Sequence, residues 1–290
     1  MILPEMILTS RQNQICTESG IDSLERCLDK EYFKSYPCKI EYRYNSRGFR
    51  DEEWPNDLTN SVWCVGDSFT VGLGSCIEHT WVNILQSKLN RRCINISMDG
   101  ASNLWIARKA VDILNIVSPK LLIIHWSYFF RDEDGNTSKS DEDRRLQYSQ
   151  SVSTKQQLKQ FFTCLDLVEK QKQFTHVVHS FIPNGPPIYD SARVVKEWDR
   201  FKGSSWPMLP HTVTEFDQLA NQIKTELHTF NKYSIFRDSI EFKLEFNNST
   251  IVIPELEQID LARDGHHYDI LTATNFVEKL VVVIDSLPVD

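Results

Sequence analysis

Residues 121–126 read Leu-Leu-Ile-Ile-His-Trp, a run that is almost continuously apolar. Successive side chains of a strand point to opposite faces of its sheet, so this run presents apolar groups on both faces. Such a strand is stable only when both faces are covered, which is typical of the centre of a parallel sheet. The run therefore predicts a central parallel strand.

From residue 62 onward, strand-like apolar runs alternate with stretches of helical periodicity. This alternation is the pattern of parallel strands joined by crossover helices, and it predicts an α/β fold. The predicted strands are 62–65, 93–96, 121–126 and 175–181, and the predicted helices are 80–89, 106–117, 155–171, 212–233 and 270–284. We expect an N-terminal extension, residues 1–60 with a helix near 21–35, packed on a main domain, residues 61–290. The polar stretch 131–153 is interpreted as a loop.

Composition argues against several classes of partner. The formal net charge is −8 and there is no basic block, so neither nucleic acid nor an anionic membrane surface is expected as a partner. The first eight residues lack a signal-peptide pattern, and no apolar run approaches the ~20 residues of a membrane span. Seven scattered cysteines without a C-x-x-C pair indicate reduced thiols, so we expect a cytoplasmic protein with no metal and no cofactor.

The triplet Gly66-Asp67-Ser68 directly follows the first predicted strand. Ligands of an open parallel sheet collect at the carboxyl ends of its strands, so the fold should place the Ser68 hydroxyl in that crevice. Asp67 is predicted to be structural, its carboxylate accepting backbone hydrogen bonds in the turn. The following Gly72-Leu73-Gly74 lacks the lysine of a phosphate-binding loop, so that interpretation is poor.

A serine hydroxyl becomes a nucleophile at neutral pH only beside a base, most often a histidine oriented by a carboxylate. Near the C-terminus, Asp264 and His267 stand three residues apart. This spacing lets Asp264 reach Nδ1 of His267 and leaves Nε2 for Ser68. His266 is the competing base, and Asp264 is alternatively a residue of a helix N-terminal turn.

Acyl transfer also requires donors for the developing oxyanion, each contributing about 3 kcal/mol where measured in other hydrolases. The backbone N–H of Ser68 is one candidate. Gly100, after the second predicted strand, is another, since glycine permits close approach to a substrate. A third would come from the end of the third strand, at Ser127.

These residues resemble the blocks of the SGNH, or GDSL-type, hydrolase superfamily. The nucleophile of that family lies in a Gly-Asp-Ser block, matching Ser68; a glycine donor follows the second strand, matching Gly100; and an Asp-x-x-His block matches Asp264 and His267. The resemblance covers residue 60 to the C-terminus. It implies a flavodoxin-like three-layer α/β/α sandwich and a cofactor-independent serine esterase acting on a small-molecule or carbohydrate ester, with an O-acetylated carbohydrate as one candidate.

The third block of the family departs from its usual pattern. That block reads Gly-x-Asn-Asp, whereas residues 125–131 contain no asparagine. Either Ser127 or Arg131 replaces the missing donor, or two donors support slow turnover, or hydrolysis is lost. The alternative functions are therefore a catalytically impaired binding or structural protein of the same fold, and an enzyme that cleaves phosphodiesters or transfers acyl groups.

Overall fold

The computed structural model describes residues 9, 11–16, 40–127, 154–182, 233–237, 241–246, 249–254, 256, 258–264 and 267–288. The helix predicted near 21–35 and the loop predicted at 131–153 lie outside these residues. So does the helix predicted at 212–233, except for Tyr233, which begins a strand.

The strands are β1 (Ile15–Cys16), β2 (Tyr42–Arg43), β3 (Val62–Gly66), β4 (Cys93–Ser97), β5 (Leu121–Trp126), β6 (His176–Phe181), β7 (Tyr233–Arg237), β8 (Glu241–Phe246) and β9 (Ser249–Pro254). The helices are α1 (Ser68–Val71), α2 (Trp81–Leu89), α3 (Asn103–Ile116), α4 (Thr154–Gln171) and α5 (Ile270–Asp285), with a 3-10 turn at Ile77–His79.

The central sheet has the strand order β4-β3-β5-β6, and every pair in it is parallel. The expected central position of β5 is confirmed, because it pairs with β3 on one side and with β6 on the other. Two antiparallel sheets accompany it, β1-β2 and β7-β8-β9. The last of these was not predicted.

Alternate residues of the central strands supply two separate cores. Leu122, Ile124 and Trp126 of β5 pack with residues of α3 and α4. Leu121 and Ile123 pack with residues of α2 and α5 on the opposite face. Helices therefore cover both faces of the sheet, and the predicted three-layer α/β/α architecture is confirmed.

Two helix starts fix segments that matter for the site. The Ser102 hydroxyl accepts a hydrogen bond from the Trp105 N–H and so caps the start of α3 at Asn103. The Asp260 carboxylate accepts from the N–H groups of Leu271 and Thr272, at 2.8 and 3.0 Å, and so caps α5. This cap ties the segment 258–264 to the last helix.

Residues 40–60 lie against the main domain. The Asp51 carboxylate pairs with Arg92 at 2.7 Å and accepts from the backbone N–H of Asn95 in β4, at 3.1 Å. The Trp63 indole of β3 donates to the Leu58 carbonyl at 2.9 Å. The domain boundary near residue 60 stays a prediction. No described helix is long and apolar enough to cross a membrane.

Candidate active site

The turn after β3 is held by the side chain of Asp67. One carboxylate oxygen accepts from the Phe69 N–H at 3.0 Å, which caps α1, and the other accepts from the Ser127 hydroxyl at 2.7 Å. The structural role predicted for Asp67 is thereby confirmed. The short helix ends at Gly72, whose φ of 73° lies in the left-handed region that favours glycine. Ser68 is therefore the first helical residue beyond the carboxyl end of a central strand.

Ser68, His267 and Asp264 form one hydrogen-bonded row. Nε2 of His267 lies 2.8 Å from Oγ of Ser68, and Nδ1 lies 2.5 Å from Oδ2 of Asp264. The second oxygen of Asp264 accepts from the backbone N–H of His267 at 3.0 Å. All three residues are buried, with Ser68 only 1% exposed. The structure thus brings together the three side chains singled out in the sequence, whereas His266 lies outside the described residues.

The imidazole of His267 is fixed in orientation as well as in position. The Phe69 ring packs against it with 4.5 Å between ring centroids. The His267 carbonyl accepts from the Ala262 N–H at 2.6 Å, which closes the turn that carries Asp264. Because the Asp264 carboxylate can only accept at neutral pH, Nδ1 carries the proton and Nε2 is left to accept from Ser68.

Opposing effects set the pKa of His267. Burial alone lowers the pKa because it disfavours the imidazolium ion. The charge and hydrogen bond of Asp264 raise it, with smaller contributions from the charges of Asp99 and Asp67, and the net pKa lies above the ordinary 6.5. This environment stabilises an imidazolium ion formed when the histidine takes a proton.

The predicted oxyanion donors Ser68 and Gly100 stand on neighbouring strand ends. Gly66 of β3 pairs with Ser97 of β4, and Gly100 follows Ser97 by three residues with a φ of 72°. A Cβ built on Gly100 would meet no heavy atom within 4 Å, so its backbone can be approached closely. Neither the Ser68 nor the Gly100 N–H donates to a protein acceptor among the described residues.

Ser127, the predicted third oxyanion donor, has protein acceptors for both of its donor groups. Its hydroxyl donates to Asp67 at 2.7 Å, and its backbone N–H donates to Oδ1 of Asn103 at 2.8 Å. Both donors of Ser127 are therefore already used to hold the end of β5. Arg131, the other replacement considered, lies outside the described residues.

Sequence reasoning missed Asn103, the first residue of α3. Its side chain accepts from the N–H of Ser127 and donates to the Ser127 carbonyl at 3.1 Å, which joins the end of β5 to the start of α3. The only local signal is an asparagine directly after the Ser102 cap, and nothing in the sequence links residues 103 and 127. Within the described ranges no group of three or more His, Cys, Asp or Glu residues is arranged to hold a metal ion.

No family model and no curated protein matches the sequence. The solved structures that the chain resembles include GDSL-like lipases, acylhydrolases and carbohydrate esterases. One is a family two carbohydrate esterase from Clostridium thermocellum in complex with cellohexaose, with 12% identity, a TM-score of 0.41 and coverage of 80% of this chain and 66% of that one. A structure described as a GDSL-like lipase from Bacteroides ovatus has 11% identity, a TM-score of 0.44 and coverage of 80% and 55%.

A member of the lipolytic G-D-S-L family from Veillonella parvula has 14% identity, a TM-score of 0.40 and coverage of 78% of this chain and 99% of that one. The match thus spans less than two thirds of the first two structures and nearly all of the third. At these identities and TM-scores no activity follows from the likeness.

Proposed function

We propose that this protein is a serine esterase of the SGNH type that hydrolyses an acyl ester. The observation that carries the proposal is the row from Ser68 through His267 to Asp264, at 2.8 and 2.5 Å, beyond the carboxyl end of a central parallel strand. A serine nucleophile is activated when its hydroxyl is hydrogen-bonded to a histidine and that histidine is hydrogen-bonded to a carboxylate.

The first half-reaction forms an acyl-enzyme. Oγ of Ser68 attacks the ester carbonyl carbon while Nε2 of His267 takes the hydroxyl proton. Asp264 keeps the imidazole in the required tautomer and stabilises the positive charge, in agreement with the raised pKa of His267. When the tetrahedral intermediate collapses, the bond to the alcohol oxygen breaks and His267 returns the proton to the leaving alkoxide.

The second half-reaction uses water in place of the alcohol. His267 takes a proton from the water as its oxygen attacks the acyl carbon. The bond to Ser68 Oγ then breaks, the carboxylic acid leaves, and Ser68 recovers its proton. None of these steps requires a metal or a cofactor.

Two backbone donors are assigned to the oxyanion in both half-reactions. The N–H groups of Ser68 and Gly100 lie at adjacent strand ends, and neither has a protein acceptor among the described residues. Each such donor contributes about 3 kcal/mol to the transition state in other hydrolases. With Ser127 engaged elsewhere, the described part of the site offers two donors, which favours modest turnover.

The decisive experiment is intact-protein mass spectrometry after incubation with a short-chain fluorophosphonate, with p-nitrophenyl acetate hydrolysis measured in parallel. A small reagent is used because Ser68 is only 1% exposed. One adduct and turnover in the wild type, with both lost in Ser68→Ala and His267→Ala, is the expected result. A folded wild type that gives no adduct and no turnover contradicts the enzyme and favours a binding or structural protein.

The same samples distinguish the other chemistries of the fold. Release of free acid from p-nitrophenyl acetate supports hydrolysis, whereas accumulation of an acylated acceptor alcohol would indicate acyl transfer. Cleavage of bis-p-nitrophenyl phosphate would indicate a phosphodiesterase. If hydrolysis is found, O-acetylated carbohydrates are among the first natural esters to test.

A further inference from the structure

The segment after α1 joins the two halves of the candidate site. This bridging loop comprises residues 72–75. The Gly72 N–H donates to the carbonyl of Ser68 at 3.0 Å. At its other end, the Gly74 carbonyl accepts from the Arg263 N–H at 3.0 Å, and the Ser75 hydroxyl donates to the Tyr268 carbonyl at 3.3 Å. The loop therefore contacts the backbone of Ser68 and the segment that carries Asp264 and His267.

Contact between the bridging loop and Asp264 is very close. Gly74 has a φ of 78°, and a Cβ built on it would lie 2.9 Å from Cβ of Ala262 and 3.0 Å from Cγ of Asp264. No gap separates the two segments at this point. A displacement of the loop by a few tenths of an ångström must therefore be transmitted to Asp264.

Arg50 binds the carbonyl groups of this region. Its side chain is buried, and Nη1 donates to the carbonyls of Val71 and Gly72 at 3.1 and 2.6 Å. Nη2 donates to the carbonyl of Ser75 at 2.9 Å. A guanidinium group is planar and rigid, so three hydrogen bonds to one group fix the spacing of these carbonyls.

Tyr42 of β2 completes the hold on the bridging loop. Its hydroxyl accepts from the Gly74 N–H at 2.7 Å, and its ring lies 4.2 Å from the guanidinium carbon of Arg50. Tyr42 is buried as well. Both side chains come from the N-terminal segment, outside the predicted main domain.

We propose that Arg50 and Tyr42 are positioning residues for the row formed by Ser68, His267 and Asp264. They fix the bridging loop, and the loop in turn sets where Asp264 stands relative to Ser68. Their hydrogen bonds to Val71 and to the bridging loop give both residues a positioning role. The inference rests on the proposed function. It means that residues 40–50 support the reaction indirectly, by holding the bridging loop.

The test compares Tyr42→Phe with Tyr44→Phe. The first variant keeps the ring beneath Arg50 and removes the hydroxyl that accepts from the Gly74 N–H. The second is a matched control, because Tyr44 is also buried in the N-terminal segment but its hydroxyl accepts from Arg11, at 3.1 Å. Tyr42→Phe should lower the rate of fluorophosphonate labelling and kcat for p-nitrophenyl acetate by about 10-fold with KM unchanged. Tyr44→Phe should stay within about twofold of wild type.

A second readout separates positioning from mere stabilisation. Proton NMR of the His267 ring gives the pH midpoint of its titration, assigned with His267→Ala. In Tyr42→Phe this midpoint should fall towards or below the ordinary histidine value, because a displaced Asp264 no longer offsets the effect of burial. Arg50→Lys, which keeps the charge but not the planar group, should shift it in the same direction.

Each outcome bears on one claim. Tyr42→Phe with wild-type labelling rate and wild-type midpoint overturns the inference, even if its melting temperature is lower. Equal losses in Tyr42→Phe and Tyr44→Phe also overturn it. If the wild type is never labelled, the proposed function fails, while the His267 midpoints still test whether the loop positions Asp264.

Discussion

At the scale of single residues, His267 shows how one neighbour determines the behaviour of a base. Burial lowers the pKa of a histidine that has no carboxylate bonded to its ring, as for His125, whose Nδ1 contacts the Ser180 hydroxyl and whose pKa falls to about 4. His267 is equally buried, yet the Asp264 carboxylate at 2.5 Å raises its pKa above 6.5. What distinguishes His267 from His125 is a carboxylate hydrogen-bonded to the ring.

This contrast predicts a pH dependence of the reaction. His267 accepts a proton only when it is neutral, so kcat/KM should rise with pH and reach half its maximum above 6.5. In Asp264→Asn the effect of burial remains without the charge, so the midpoint should move below 6.5 and kcat should fall by roughly 10⁴-fold, as for the equivalent change in a serine protease. The measurement is p-nitrophenyl acetate hydrolysis from pH 5 to 9.

A second histidine–carboxylate pair provides the control for that experiment. Nε2 of His179 in β6 lies 3.1 Å from Oε1 of Glu169 in α4. Glu169→Gln removes a comparable charge and should leave the kinetic midpoint unchanged. A midpoint that moves equally in Asp264→Asn and Glu169→Gln would show that the profile reports general electrostatics rather than His267.

One substitution can determine whether the Ser127 hydroxyl stabilises the oxyanion or the fold. If its hydroxyl served the oxyanion, Ser127→Ala would lower kcat by about 10²–10³-fold. Because that hydroxyl donates to the buried carboxylate of Asp67, we instead expect kcat to change by less than about 10-fold and the free energy of unfolding to fall by about 1–3 kcal/mol. Kinetics and urea unfolding of the same variant check this, and a 100-fold loss of kcat at unchanged stability would contradict it.

At the scale of elements, periodicity identified the central sheet and its helices well. β5 occupies the predicted residues 121–126, and α5 begins at the predicted residue 270. These elements bury one or both faces, so their apolar residues recur along the sequence with the period of the strand or helix. The four-residue helix α1 is too short to show a period and is defined instead by the Asp67 cap and the left-handed Gly72.

The sequence around β8 and β9 contains a strand pattern, although no strand was predicted there. The residues 241–246 read Glu-Phe-Lys-Leu-Glu-Phe, a strict alternation of polar and apolar side chains that is typical of a strand, and two asparagines precede residue 249. Other contacts had no such signal. The pairing of Asn103 with Ser127 and of Arg50 with the bridging loop joins residues more than 20 positions apart, about which local periodicity carries no information.

The fit of the bridging loop is testable at Gly74. An alanine there adopts an unfavourable positive φ and brings its Cβ within 3.0 Å of Asp264, whereas an alanine at Gly100 has a similar φ of 72° and open space. Backbone strain is thus nearly equal, and only Gly74→Ala adds a clash. We expect Gly74→Ala to lose about 1–3 kcal/mol more free energy of unfolding than Gly100→Ala. If urea unfolding gives equal losses of free energy for the two variants, the loop accommodates the added methyl group without destabilising the protein.

At the scale of the whole molecule, two buried ionisable groups act in opposite directions on stability. Burial lowers the pKa of His125 to about 4, so between pH 4 and 6.5 the unfolded chain binds a proton more readily and stability falls as the pH falls. Burial raises the pKa of Asp51 to about 6, despite its pairing with Arg92, so between pH 3.8 and 6 stability falls as the pH rises. The two slopes partly cancel in the wild type.

Substitution of His125 should reveal how much this residue contributes to the pH dependence of stability. Phenylalanine does not titrate and is an aromatic replacement between Trp81 and Phe276, while the Ser180 hydroxyl keeps the Ile124 carbonyl as its acceptor at 3.1 Å. A pKa of about 4 in place of 6.5 corresponds to roughly 3 kcal/mol, so on going from pH 6.5 to 4 the wild type should lose about that much more free energy of unfolding than His125→Phe. Urea unfolding at half-unit pH intervals gives both curves. Parallel curves would mean that His125 is not held neutral in the core, whereas an Asp51→Asn variant should diverge from wild type with the opposite sign.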